Sequence, residues 1–189
     1  MSKVKGALLV DFAKVIRDNK DRDWKKYLNE EDLKIISGTV MPSAWYDTGT
    51  YERAGFAIFQ EVGQGKPANA FIWGKFLIED LGKRFYKNLI SFGDPIGSFK
   101  SCQTFLNQWF AFDDPGFQAF SVEQAGPTQV RILVKYDHHL DFFEASINQV
   151  AGSMERIAEL NGAKGVTTRI SDMQPDQPQP SATITVSWK

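Results

Sequence analysis

The stretch "GVTTRISDMQPDQPQPSATITVSWK", residues 165–189, contains two alternating runs separated by three prolines. In the first run Val166, Thr168 and Ile170 occupy every second position. In the second run the apolar side chains also occupy every second position: Ala182, Ile184, Val186 and Trp188. Alternation of this kind is typical of half-buried strands, and a proline-rich stretch is typical of the connection between them. The sequence therefore predicts a β-hairpin, which carries no catalytic or metal-binding motif of its own.

A second hairpin is predicted upstream, where "FQAFSVEQ" (117–124) and "QVRILVKY" (129–136) are joined by "AGPT". Apolar residues of the second run alternate with charged ones: Val130, Ile132 and Val134 with Arg131 and Lys135. Two alternating runs around a short glycine-containing connection indicate paired antiparallel strands.

A helix is predicted between the two hairpins. Its apolar residues recur at helical spacing, namely Phe143, Ile147, Val150, Met154 and Ile157. Asp141 is the predicted N-cap and Glu144 its capping-box partner. Gly162 is the predicted stop signal.

The part of the chain before residue 113 predicts helices. Residues 5–18 carry a broad apolar face that fits either a helix or an initial strand. Further helices are predicted at 30–36, after Thr50 as N-cap, at 68–90, and from Asp94 to 112. The helix at 68–90 is apolar nearly all around, which predicts that it is buried centrally.

These elements predict an α+β fold in one domain, residues 1–189. Helices come first and a strand-strand-helix-strand-strand segment follows, which favours an antiparallel sheet. We expect the helical N-terminal two-thirds to pack on this four-stranded sheet. No internal repeat and no glycine- or serine-rich linker divides the chain.

The composition excludes several classes of protein. A net charge of -1 argues against a nucleic-acid-binding surface. The single cysteine, Cys102, cannot form an internal disulfide or a cysteine-rich metal site. No apolar stretch approaches the roughly 20 residues needed to cross a bilayer, and no signal-peptide pattern is present. We therefore expect a cytoplasmic protein and leave self-association open.

No motif predicts an enzyme or a cofactor site. "EVGQGKP" (61–67) lacks the spacing of a phosphate-binding loop, because Gln60 and Pro67 occupy two of the required positions. The only histidines, His138 and His139, are adjacent, so on extended backbone they point to opposite faces. No nucleophile has a base placed beside it. We expect neither catalysis nor a bound metal.

The order of elements resembles the heme-nitric-oxide/oxygen-binding (H-NOX) domain and its heme-free relatives. The resemblance spans nearly the whole chain and is carried by the segments at 5–28, 51–64, 71–86, 126–160 and 182–188. Within it, "VKGA" (4–7) and the P-S-x-W-Y pattern at 42–46 are similar to an uncharacterised bacterial family. The likeness extends to four-vinyl-reductase-type domains, whose terminal hairpin often carries cysteines that are absent here.

The heme-binding residues of the H-NOX family do not carry over. The family's proximal histidine falls near Trp109 or Phe110, and its Tyr-x-Ser-x-Arg signature falls near Lys135, Asp137 and His139. Without an axial imidazole, the resemblance implies a domain with no heme and no other cofactor.

The resemblance implies a sensory or adaptor module that binds a small apolar ligand or a signalling protein. The residues expected to line the region equivalent to the heme pocket are Phe105, Trp109, Phe110, Val134 and Tyr136. Plain core packing is an equally good interpretation of these five. Two alternatives remain: a gas sensor that binds heme through His138 or His139, and an enzyme of unknown reaction.

Overall fold

The computed structural model describes residues 2–85 and 90–189, apart from the side chain of Asn107. These residues form six α-helices and two antiparallel sheets, so the predicted α+β class is confirmed. The chain folds into two compact units. The first holds Met1–Lys66 and Gln108–Pro115, and the second holds Pro67–Asn107 and Gly116–Lys189. The assignment of 1–189 to one domain stays a prediction.

The first unit contains three α-helices, a short 3-10 helix at Trp24–Lys26 and a three-stranded sheet. Its elements are β1 (Lys3–Lys5), α1 (Gly6–Asp18), α2 (Glu30–Ser37), β2 (Trp45–Asp47), α3 (Thr48–Glu61) and β3 (Phe110–Ala111). The sheet order is β2-β1-β3. The chain passes directly from β1 into α1 at Gly6, where a Cβ atom would lie 2.1 Å from the carbonyl oxygen of Met41. Both structures considered for the first segment therefore occur, a short strand followed by a helix.

A buried carboxylate joins α2 to α3. The side chain of Asp32 is fully buried, and its oxygens accept hydrogen bonds from Arg53 Nε (2.7 Å) and Nη2 (2.8 Å). They also accept from Thr50 Oγ1 at 2.8 Å and from the backbone N–H of Asn29 at 3.1 Å. The prediction of Thr50 as the N-cap of α3 is wrong. Asp47 caps that helix by accepting from Gly49 N–H, because Thr50 lies inside the helix and donates to Asp32.

Replacing Asp32 by asparagine is expected to lower the free energy of unfolding at pH 7 by about 2 kcal/mol. Burial alone would raise the pKa of Asp32, but the hydrogen bonds from Arg53, Thr50 and Asn29 outweigh it and hold the pKa below its usual value. A lowered pKa stabilises the fold above the unfolded value, and this stabilisation is lost as pH falls through the folded value. In urea unfolding measured from pH 7 to pH 3, the free energies of unfolding of the parent and the variant should therefore converge.

The matched control is Asp21→Asn, which removes an exposed carboxylate 3.7 Å from Arg22. Surface ion pairs contribute little, so this variant should track the parent at every pH. If the difference in free energy of unfolding between Asp32→Asn and the parent stayed constant down to pH 3, the assigned role of the Asp32 charge would be contradicted.

The second unit contains the predicted sheet and the helices beside it. Its elements are α4 (Pro67–Arg84), α5 (Pro95–Trp109, whose last two residues belong to the first unit), β4 (Phe120–Gly126), β5 (Gln129–Lys135), α6 (Phe143–Leu160), β6 (Thr167–Gln174) and β7 (Ser181–Ser187). The strand order is β4-β5-β7-β6, all antiparallel, so both predicted hairpins are confirmed. The inner face is apolar and buried at Val130, Ile132, Val134, Ala182, Ile184 and Val186.

The start of α6 differs from the prediction. The helix begins at Phe143 after Phe142, and no side chain caps it, so the predicted capping box of Asp141 and Glu144 is wrong. Asp141 instead lies 3.5 Å from His139, and the Glu144 side chain faces solvent. The predicted end is confirmed, since Gly162 follows the helix with a φ of 90°.

The prediction that the helix at 68–90 is buried centrally is wrong. In α4, Ile72 is 64% exposed and Phe76 is 57% exposed. The helix instead packs one face closely against α6, where both helices use glycine, Gly74 and Gly152. The predicted C-terminal end of this helix extends into residues 86–89, which lie outside the described residues.

The helix α5 is shorter than predicted and ends at Trp109, because Phe110 and Ala111 leave it to pair with β1 as β3. Its first turn is tied to the end of α6 through the buried Asn161. Ser98 Oγ donates to Asn161 Oδ1 at 3.2 Å, and Gly93 N–H donates to the Asn161 carbonyl at 3.1 Å.

Candidate functional site

An aromatic row in the first unit includes one of the predicted site residues. Phe110 pairs with Val4 in the sheet, and its ring lies 6.0 Å from that of Phe112, nearly parallel. The edge-to-face partner of Phe110 is Tyr51 on α3, at 6.1 Å and 74°. Tyr51 in turn stacks on Phe12 of α1 at 4.8 Å and 5°. These distances and angles are those that aromatic pairs prefer, so the row adds packing energy to the first unit.

Trp109 stands immediately before this row. Its side chain is 6% exposed, although it is the last residue of α5. An indole N–H can only donate a hydrogen bond and does not coordinate iron. The position near which the resemblance places a proximal histidine therefore holds a buried side chain that cannot serve as an axial ligand.

The other three predicted residues belong to the second unit. Val134 is buried in the inner face of the sheet, where it pairs with Phe120 and Ala182. Tyr136 follows β5 and forms a 2.6 Å hydrogen bond between its hydroxyl and that of Ser146. Its ring contacts Phe143 edge-to-face at 5.8 Å. Phe105 is half-buried on α5.

The five predicted residues thus fall into two groups, Trp109 and Phe110 in the first unit and Phe105, Val134 and Tyr136 in the second. Their role in a pocket stays a prediction. Sequence reasoning missed the partners that hold them, above all Tyr51 and Ser146, because these come from other elements and no local motif marks them.

The donor groups of the chain do not fit a heme held by imidazole or thiolate. His138 and His139 lie between β5 and α6 with side chains 45% and 62% exposed. His138 Nδ1 lies 2.7 Å from Asp137 Oδ1. Burial raises the pKa of the Cys102 thiol to about 12, so at neutral pH it is protonated and is not a thiolate ligand. Within residues 2–85 and 90–189, no group of three or more His, Cys, Asp and Glu side chains is arranged to hold a metal ion.

A charged network across α4 and α6 is held firmly ionised. Lys75 Nζ lies 3.0 Å from Glu155 and 2.6 Å from Glu159, and Arg156 contacts both Glu79 and Glu159. Burial would raise the pKa of Glu159, but its bonds to Lys75 and Arg156 outweigh burial and lower it. The hydrogen bond from Lys83 and those from Arg156 lower the pKa of Glu79. A carboxylate that acts as a general acid or base needs a pKa raised towards neutral pH. The pKa values of Glu79 and Glu159 are lowered instead, which is typical of a structural ion-pair network.

Comparison with solved structures identifies the class of fold. A mutant of H-NOX from T. tengcongensis superposes with a TM-score of 0.66 over 98% of this chain and 97% of that one, at 10% identity. The Fe(II) unliganded H-NOX protein from K. algicida superposes with a TM-score of 0.67 over 98% of this chain and 96% of that one, at 12% identity. A mutant of Cs H-NOX superposes with a TM-score of 0.65 over 98% of this chain and 96% of that one, at 11% identity. The chain therefore has an H-NOX-like fold.

At these identities the likeness shows the fold alone, since one fold hosts many functions. No family model and no curated protein matches the sequence. Over the described residues, 2–85 and 90–189, no helix is long and apolar enough to span a bilayer.

Proposed function

We propose that this protein is a heme-free sensory or adaptor module built on the H-NOX fold. The observation that carries the proposal is the buried indole of Trp109 at the position near which the resemblance places the proximal histidine. The H-NOX structures that resemble the chain include one that concerns heme distortion and one of an Fe(II) form. In the described residues the side chains of His138 and His139 are 45% and 62% exposed, and the buried Cys102 is a protonated thiol. A cofactor held through an axial ligand is therefore not part of the proposed function.

The module acts by binding and not by catalysis. Aromatic side chains pack on one another in the first unit, from Phe12 through Tyr51 to Phe110 and Phe112. Such packing supports a domain whose core is completed by side chains, and the proposed module signals by binding a protein partner. The second form of the proposal is a module that binds a small apolar ligand.

Titration of the purified protein with hemin is expected to give no histidine-dependent Soret band. The two histidines face solvent, and the Asp137 carboxylate beside His138 is already engaged with that ring. The spectrum of the parent should match that of the His138→Ala/His139→Ala double variant at every hemin concentration. A heme-binding H-NOX protein treated in parallel serves as the positive control.

A sharp Soret band that disappears in His138→Ala or His139→Ala would overturn the heme-free proposal in favour of a gas sensor. A band that persists in the double variant would point to another axial ligand and would also overturn it. Broad absorbance equal in all variants, typical of non-specific hemin adsorption, agrees with the proposal.

A further inference from the structure

The outer face of the four-stranded sheet carries hydroxyl groups and cations. Residues directly paired across antiparallel strands point to the same side, so the register defines which side chains share this face. The hydroxyl side chains on it are Ser121, Thr167, Ser171, Ser181, Thr183, Thr185 and Ser187. The opposite face packs apolar side chains and is buried. Leu133 shares this face and Thr183 is only 9% exposed, so the outer face is mainly polar but includes one apolar side chain.

Two arginines stand on this face in one row. Arg131 on β5 and Arg169 on β6 both pair with Thr185 on β7, which lies between them. Adjacent strands are about 4.8 Å apart, so the two α-carbons are about 10 Å apart. The two arginines thus flank Thr185 on the sheet, and both are exposed.

The positive charge on this face is only partly balanced. Arg131 Nη1 lies 3.3 Å from Glu123 Oε2, and both side chains are more than half exposed. Within residues 2–85 and 90–189, Arg169 and Lys135 have no acidic side chain within ion-pair distance. The nearby Asp172 leaves the paired register at a bulge and accepts a hydrogen bond from Ser171. Counting Asp172, whose carboxylate holds the Ser171 hydroxyl on this face, the face presents three cations against two carboxylates.

The edges of the sheet are poor docking sites by comparison. Both edge strands carry a register shift, β4 between Gln124 and Gly126 and β6 between Ser171 and Gln174. Bulges of this kind interrupt the row of free backbone groups that an added strand would use. A partner of this sheet is thus better accommodated on its face than along its edge.

We propose that this outer face is the docking surface for an acidic, extended segment of a partner protein. Guanidinium groups bind carboxylates bidentately, and the intervening hydroxyl groups donate hydrogen bonds at low entropic cost. A sheet face is not the concave site that small molecules need. The protein has a net charge of -1, whereas a nucleic-acid-binding protein usually carries an extended basic surface. The inference rests on the proposed adaptor function and names the chemistry of its partner.

The test is fluorescence anisotropy with a labelled oligoglutamate peptide at low salt, against an oligoglutamine peptide of equal length. We expect the glutamate peptide alone to bind the full-length protein. Arg131→Glu and Arg169→Glu should each weaken binding by about tenfold or more, because each replaces an attraction by a repulsion. The matched control is Lys100→Glu, the same change of charge at an exposed position on α5, which should weaken binding less than about twofold.

Amide chemical shifts then locate the peptide, and we expect changes at Arg131, Arg169, Thr183 and Thr185. Absence of binding, or equal binding by the arginine variants, would overturn the proposal. Tighter binding of a single-stranded oligonucleotide would reassign the face to nucleic acid, and competition by inorganic phosphate alone would reassign it to a small anion. These results are independent of the hemin titration, so failure of this surface leaves the heme-free proposal standing, and the reverse also holds.

Discussion

Replacing Trp109 by alanine is expected to lower the free energy of unfolding by about 3–5 kcal/mol, the range for removal of a large aromatic side chain from a core. The side chain is 6% exposed, so its truncation removes nearly all of the buried indole contacts and leaves a void. Interiors are packed at the density of organic crystals, and a void of this size is not refilled by small shifts of its neighbours. Denaturant unfolding of the variant beside the parent measures the effect.

The matched control is Trp45→Ala, the same substitution at an indole that is 41% exposed. Trp45 lies on β2 with the Lys5 ammonium 4.0 Å from its ring centre, an exposed contact that contributes about 0.5–1 kcal/mol. A loss of less than about 1 kcal/mol for Trp109→Ala as well would mean that Trp109 is not part of a core. The argument that side chains occupy the place of a cofactor would fail with it.

Replacing Gly74 by alanine is expected to destabilise the protein by about 3 kcal/mol, at the upper end of the usual range for overpacking. A Cβ atom at Gly74 would lie 1.9 Å from the carbonyl oxygen of Gln149 on α6. One at Gly152 would meet the carbonyl oxygen of Phe71 at the same distance. Backbone atoms cannot rotate away as side chains do, so α4 and α6 would have to separate. The gain in helix propensity, about 1 kcal/mol, is too small to offset this.

Gly82→Ala is the control on the same helix, because a Cβ atom there has no neighbour within 4 Å. This variant should be as stable as the parent or more stable by up to about 1 kcal/mol. Thermal unfolding of the two glycine variants side by side measures the difference. Equal stability of Gly74→Ala and Gly82→Ala would show that the two helices do not need this close approach.

The separation of α4 from α6 would also break the ion pairs between them. Lys75 reaches Glu155 and Glu159 on α6, and Arg156 reaches back to Glu79 on α4. Such a network requires one register of the two helices, and the glycine contact sets that register. Added salt should therefore weaken the parent more than it weakens Gly74→Ala.

The sequence by itself determined the two hairpins and the helix between them. The local patterns decided these elements. Strand β5 shows alternation at Val130, Ile132 and Val134, and helix α6 shows helical spacing from Phe143 to Ile157. The order of elements followed from the same local patterns, and the H-NOX-like fold was predicted from the resemblance of the segments in that order. The absence of an axial histidine near Trp109 was also readable from the sequence.

Only the tertiary structure decided how these elements use their side chains. The strands β1, β2 and β3 are two or three residues long, too short to show a period, and they exist because they pair with one another. Thr50 donates to Asp32 and does not cap a helix, since a buried carboxylate needs several donors and these come from distant positions. Likewise α4 exposes Ile72 and Phe76, because hydrophobicity along one helix does not specify which face its neighbour covers.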